Sequence, residues 1–87
     1  MDFAIAQAPT TAEATIYPNP GMGIFYVNWI PIKELEIYNI SGDRVARIIN
    51  SSSGNYFDLS VFSAGYYLLK ITGFNNERAI EKLLILK

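Results

Sequence analysis

The sequence predicts an all-β fold, a seven-stranded antiparallel sandwich. Three observations point to it. Short runs rich in β-branched and aromatic residues recur along residues 14–87, separated by Gly, Pro, Asn and Ser. Several runs alternate apolar and polar residues, as a half-buried strand does. No segment sustains a 3.6-residue period; residues 79–86 can be drawn as a helix, but they lack a cap and follow a hairpin turn.

The elements follow in order. Residues 1–13 carry Pro9, Thr10, Thr11 and alanines without period, which reads as a linker or processing arm ahead of a single domain over residues 14–87. Residues 14–17 form a short first strand. Pro18-Asn19-Pro20-Gly21 stops it, because two prolines remove two backbone donors. Residues 24–29 are the second strand, which Pro31 ends. Residues 35–40 are the third, with Leu35 and Ile37 on one face and Glu34, Glu36 and Tyr38 on the other. Ser41-Gly42-Asp43 is a tight turn, since Gly42 reaches positive φ without a Cβ clash. Residues 44–49 return as the partner strand. Val45 and Ile49 oppose Ile48 there, an imperfect alternation that predicts a bulge or a doubly buried end. A Ser-rich loop fills 50–55.

Residues 56–59 are a brief fifth strand. Asp58 falls before the following turn, and its carboxylate is placed to accept turn N–H groups. Residues 65–72 are the sixth strand, with Tyr67, Leu69 and Ile71 facing one way. A hairpin loop over 73–77 leads to the last strand, 78–86. Ala64-Gly65-Tyr66-Tyr67-x-Leu69 resembles the tyrosine corner of immunoglobulin-like folds. There a Tyr at the start of the sixth strand bonds an upstream backbone group, and the residue two further on is a core position. The predicted class is therefore an immunoglobulin-like β-sandwich.

Composition narrows the functions. Eighty-seven residues hold one core, and a chain this short buries roughly 60% of its extended surface. The apolar share is 51% and the mean hydropathy +0.17. Two inward-facing sheets account for that share, and any surplus on the surface would suit a docking partner. Net charge is −1 and the seven basic residues form no run, which gives nucleic acid or an anionic membrane little to hold. No apolar run approaches a membrane-spanning helix. With no cysteine there are neither disulfides nor thiolate ligands, so composition alone suggests a reducing compartment. Ala6-Gln7-Ala8 imitates a signal-peptide cleavage site, but Asp2 and the missing basic and apolar regions argue against one.

Catalytic chemistry finds no footing. Without histidine, the serines at 41, 51, 52, 53, 60 and 63 lack the commonest base. Glu34 and Glu36 read as a solvated edge rather than an acid–base pair. No ligand spacing resembles an EF-hand, and Gly21-Met22-Gly23 is a turn rather than a phosphate loop. Trp29, Tyr26, Tyr38 and Tyr66 could stack on sugars, although strand alternation must send about half of them inward. The sequence thus predicts no enzyme, no metal and no cofactor.

One ordered set of short motifs remains. Tyr17-Pro18-Asn19-Pro20 is followed by Gly23-x-Phe25 and by Leu35-x-Ile37-Tyr38-Asn39-x-x-Gly42-x-x-Val45. Asp58-Leu59-Ser60-x-x-Ser63-Ala64-Gly65-x-Tyr67-x-x-Lys70-Ile71 and Lys82-Leu83-Leu84-Ile85-x-Lys87 complete it. In this order, over residues 15–87, the set resembles the C-terminal sorting domain (type A) of the type IX secretion system. Gly21-Met22 and the apolar Trp29-Ile30-Pro31-Ile32 depart from the pattern.

The resemblance implies a targeting signal. Such a domain directs an attached N-terminal cargo through the periplasm and across the outer membrane to the cell surface or the medium. Its implied partners are the outer-membrane translocon, its shuttle protein and a surface sortase, which cuts in or before residues 2–13. Pro18, Asn19, Pro20, Gly42, Asp58, Gly65 and Tyr67 are expected to be mainly structural. Lys82, Leu83, Leu84, Ile85 and Lys87 are expected to take part in recognition, with strand addition at the last strand as one mode. No nucleic acid and no direct membrane insertion are implied. The alternative reading is a fibronectin-like accessory module that binds or spaces polysaccharide for an attached enzyme.

Overall fold

The computed structural model describes residues 14–50 and 54–87. The expected arm over 1–13 and part of the Ser-rich loop lie outside the described residues. Seven strands are present: β1 (Thr15–Tyr17), β2 (Ile24–Asn28), β3 (Ile32–Tyr38), β4 (Arg44–Ile49), β5 (Tyr56–Asp58), β6 (Gly65–Gly73) and β7 (Arg78–Ile85). All seven expected strands occur in their expected places, with β4 matched at both ends and no end shifted by more than three residues. They form a three-stranded sheet in the order β1-β2-β5 and a four-stranded sheet in the order β4-β3-β6-β7. Every strand pairing is antiparallel.

The two inner faces share one core. Ile16, Phe25, Val27 and Phe57 come from the smaller sheet; Leu35, Ile37, Leu69, Ile71, Leu83 and Ile85 come from the larger. Each contributes through strict alternation, as in the buried–exposed pattern of β2. Phe25 and Phe57 are register partners with ring centroids 5.8 Å apart. Burying side chains of this size stabilises by roughly 1.5–3 kcal/mol each. Together they are the main force holding the sheets face to face.

The departures from expectation have local causes. Strand β3 starts at Ile32, three residues before the expected Leu35. Ile32 pairs with Gly73 and Glu34 with Thr72, so Lys33 is an extra residue on β3. The bulge puts Ile32 and Leu35 in the core together and breaks the period-2 signal. A second bulge, at Val45, skips from the Ile37–Ala46 pair to Tyr38–Arg44, as the faulty alternation of β4 predicts. Gly23 has φ +104, and a Cβ there would stand 2.9 Å from the Leu59 carbonyl oxygen. That close approach lets Leu59 N–H donate to Gly23 O at 2.7 Å, binding the β1–β2 connection to the end of β5.

Candidate functional site

Local hydrogen bonds explain most of the motif residues. In the β3–β4 turn, Asn39 Oδ1 accepts from Ser41 N–H and Asp43 N–H, both at 3.0 Å. Gly42 sits there at φ +88, as expected for the turn. Asp58 Oδ1 accepts from Ser60 N–H at 2.9 Å and from Ser60 Oγ at 2.6 Å. Tyr67 Oη donates to Ser63 O at 2.8 Å, and Leu69 is fully buried two residues on. Gly65 opens β6 with φ +144.

The Asp58 geometry has a pH consequence. The Ser60 hydroxyl, and then the Ser60 N–H, hold the Asp58 carboxyl below its usual range. A pKa depressed by folding contributes stability above the unfolded value and loses it as pH falls through the folded one. We therefore expect the gap in melting temperature between the native chain and Asp58→Ala to be full at pH 6 and to close below about pH 4. Thermal melts at a series of pH values check this; a gap independent of pH would contradict it.

The Tyr17–Gly21 segment has a task that its sequence does not announce. Both of its X–Pro bonds are cis. Asn19 lies along the outer edge of β7, where its Nδ2 donates to Lys82 O at 2.8 Å and its Oδ1 accepts from Leu84 N–H at 3.0 Å. Gly21 continues the edge: its N–H donates to Leu84 O at 3.2 Å, and its carbonyl accepts from Leu86 N–H at 2.7 Å. One side chain and one glycine thus occupy the backbone edge that a visiting strand would use. Strand addition along Lys82–Leu86 would require this segment to leave. Asn19→Ala is expected to cost about 2 kcal/mol, two net hydrogen bonds. It should also speed amide exchange at Leu84 and Leu86, which equilibrium denaturation and hydrogen-exchange measurements check.

The residues expected in recognition are divided among three environments. Leu83 and Ile85 point into the core, at 1% and 0% exposure, so a partner of the folded domain cannot touch their side chains. Lys87 Nζ donates to Ser60 O and, at 2.7 Å, to Phe62 O, which ties it to the β5–β6 connection. Lys82 and Leu84 alternate outward, onto the solvent face of the four-stranded sheet.

That face has two halves. One is ionic: Arg47 Nε lies 2.6 Å from Glu34 Oε2, and Arg44 Nη1 lies 2.8 Å from Glu36 Oε2. Both are diagonal cross-strand pairs between β3 and β4. The Arg47 hydrogen bond holds the Glu34 carboxyl below its ordinary range, with Arg47 itself raised. The two glutamates therefore sit on the open face of an inner strand, not at the sheet edge that their sequence suggests. The other half is apolar. Tyr38, Ile40, Tyr66, Leu68 and Ile80 line an open groove of about 710 Å³, with Lys70 and Lys82 beside them. Tyr66 and Ile80 are 58% and 60% exposed, too much for core members.

Tyr38, Tyr66, Leu68 and Ile80 came together only in the folded sheet. Their register pairs, Tyr38–Leu68, Tyr66–Leu84 and Lys70–Ile80, join β3, β6 and β7. The polar residue that sequence reasoning missed is Asn55, the only buried polar residue among those described. Among the described residues no three His, Cys, Asp or Glu side chains gather into a metal-holding group.

A search of the curated proteins finds no match to this sequence. The family model for the secretion system C-terminal sorting domain matches residues 15–86, from the first strand to just past the last. With motif order, strand order and family match in agreement over this span, the chain belongs to that family of type IX secretion sorting signals.

Proposed function

We propose that this domain carries an attached cargo through the periplasm to the outer-membrane translocon of the type IX system, and that it is read through the apolar groove on its four-stranded sheet. The observation that carries the reading is the cluster of exposed Ile40, Tyr66, Leu68 and Ile80 with half-buried Tyr38, on a chain of the sorting family. A contiguous apolar patch on a small domain marks an interaction surface. Lys82 and Leu84 border the patch, so the last strand takes part through these two side chains. The translocon shuttle protein is the proposed occupant. A surface sortase then cuts in or before residues 2–13, and the cargo reaches the surface or the medium.

The domain acts by being bound and performs no reaction. The three-plus-four strand order and the Tyr67–Ser63 hydrogen bond support an immunoglobulin-like description of the sandwich.

The test is a reporter with a periplasmic signal peptide fused ahead of residues 1–87, in a host with the machinery. The reporter is expected outside the cell. Deleting residues 82–87 is uninformative, because it removes the core residues Leu83 and Ile85. Lys82→Glu keeps the fold and reverses one charge beside the groove; it is expected to reduce export several-fold. A stable, folded fusion that stays in the periplasm would overturn the reading.

A further inference from the structure

The opposite surface of the sandwich carries a second feature, which the sorting role does not use. Tyr17 pairs with Tyr26, and Tyr26 with Tyr56, so three tyrosines stand in one row across β1, β2 and β5. All three point to solvent, and Tyr56 is 64% exposed. The Tyr17 and Tyr26 ring centroids are 5.7 Å apart. The row spans two strand spacings, roughly 10 Å. Thr15 and Asn28 pair on one side of it, and Ile24 and Asp58 on the other.

Its electrostatics differ from those of the groove. Among the described residues Asp58 is the only charged residue on this face, and its Oδ1 is bonded to Ser60. Among the described residues none of the three phenol groups has a hydrogen-bond partner, so all three can donate and accept. The described face therefore offers ring surfaces, hydroxyls and an amide, with no cation among its described residues. That combination complements an uncharged ligand with flat C–H faces and a rim of hydroxyls. Proline-rich peptides, by contrast, dock in aromatic-lined grooves. The residues around this row belong to the same three strands and to Pro18 beside them, and they form no opposing wall.

We infer that the Tyr17–Tyr26–Tyr56 row is a binding platform for a neutral polysaccharide, two linked sugar rings lying along the three phenols. It takes in Tyr26, one of the four aromatics that the sequence offers for stacking. Trp29 packs against the core, and Tyr38 and Tyr66 lie on the other sheet. The inference does not rest on the sorting role, since the two faces share no residue.

The test is affinity electrophoresis of the full chain in gels containing hydroxyethylcellulose, laminarin or glucomannan. At least one is expected to retard the chain. Tyr56→Ala should weaken that association about tenfold, while Tyr56→Phe and the opposite-face variant Tyr66→Ala should retain it. Failure of all three polysaccharides to retard the chain would overturn the inference. So would retardation unchanged in Tyr56→Ala, or binding of a polyproline peptide in place of the polysaccharides. None of these results bears on export of the reporter fusion.

Discussion

Asn55→Leu is expected to remove roughly 3–5 kcal/mol of stability, by orphaning several buried backbone groups at once. Asn55 is 6% exposed. Its Oδ1 accepts from Ile32 N–H at 3.2 Å. Its Nδ2 donates to Val27 O at 3.1 Å and Ile30 O at 3.0 Å, with Trp29 O at 3.3 Å sharing a proton. These groups belong to the connection that leaves β2 in one sheet and enters β3 in the other. Pro31 and the bulge at Lys33 deny that connection a regular ladder, and one amide side chain replaces it. Leucine keeps the branched shape but has no polar atom and is larger, so the loss combines the cost of the unpaired groups with some overpacking. A domain of this size has about 4–13 kcal/mol in total, so the variant should be partly unfolded at 37 °C. Asn55→Asp keeps the acceptor for Ile32 N–H but buries a carboxylate against the Val27, Trp29 and Ile30 carbonyl oxygens, so it should cost at least as much. Urea denaturation followed by Trp29 fluorescence gives the values; a loss under about 1 kcal/mol would mean that other groups satisfy this connection.

The second large effect is on export. Leu68→Glu is expected to lower surface delivery of a fused reporter more than tenfold while leaving the fold intact. Leu68 sits between Tyr38 and Lys82 on the solvent face, where a polar substitution costs the isolated domain about 0.5 kcal/mol or less. Within an apolar interface the new carboxylate would be buried without a partner, which is far more costly. The signature is a melting temperature within a few degrees of the native domain and a reporter held in the periplasm. Tyr56→Ala, on the other sheet, should export normally.

What the sequence discloses and what it hides are divided by distance along the chain. Gly42, Asp58 and Tyr67 bond groups within about one turn of themselves, and their roles were legible from their neighbours. Leu35 and Ile37 against Glu34 and Glu36 fixed a face by simple alternation. The same alternation within Lys82-Leu83-Leu84-Ile85 sends Leu83 and Ile85 inward, although the motif alone had grouped them with the recognition residues. Asn19 is different: its partners lie 63 and 65 residues away. Asn55 reaches back 23 to 28 residues. Neither the groove nor the tyrosine row could be drawn without knowing which strands are neighbours, and periodicity within a strand carries no such information. Ile32 was hidden by a bulge beside Pro31, where the two-residue period fails.

The most direct test is contact itself. A photo-crosslinking amino acid placed at position 68, and separately at position 56, would be activated in secreting cells. An adduct with an outer-membrane component of the secretion machinery is expected from position 68 and none from position 56. An adduct from position 56 alone would show that the machinery reads the opposite sheet.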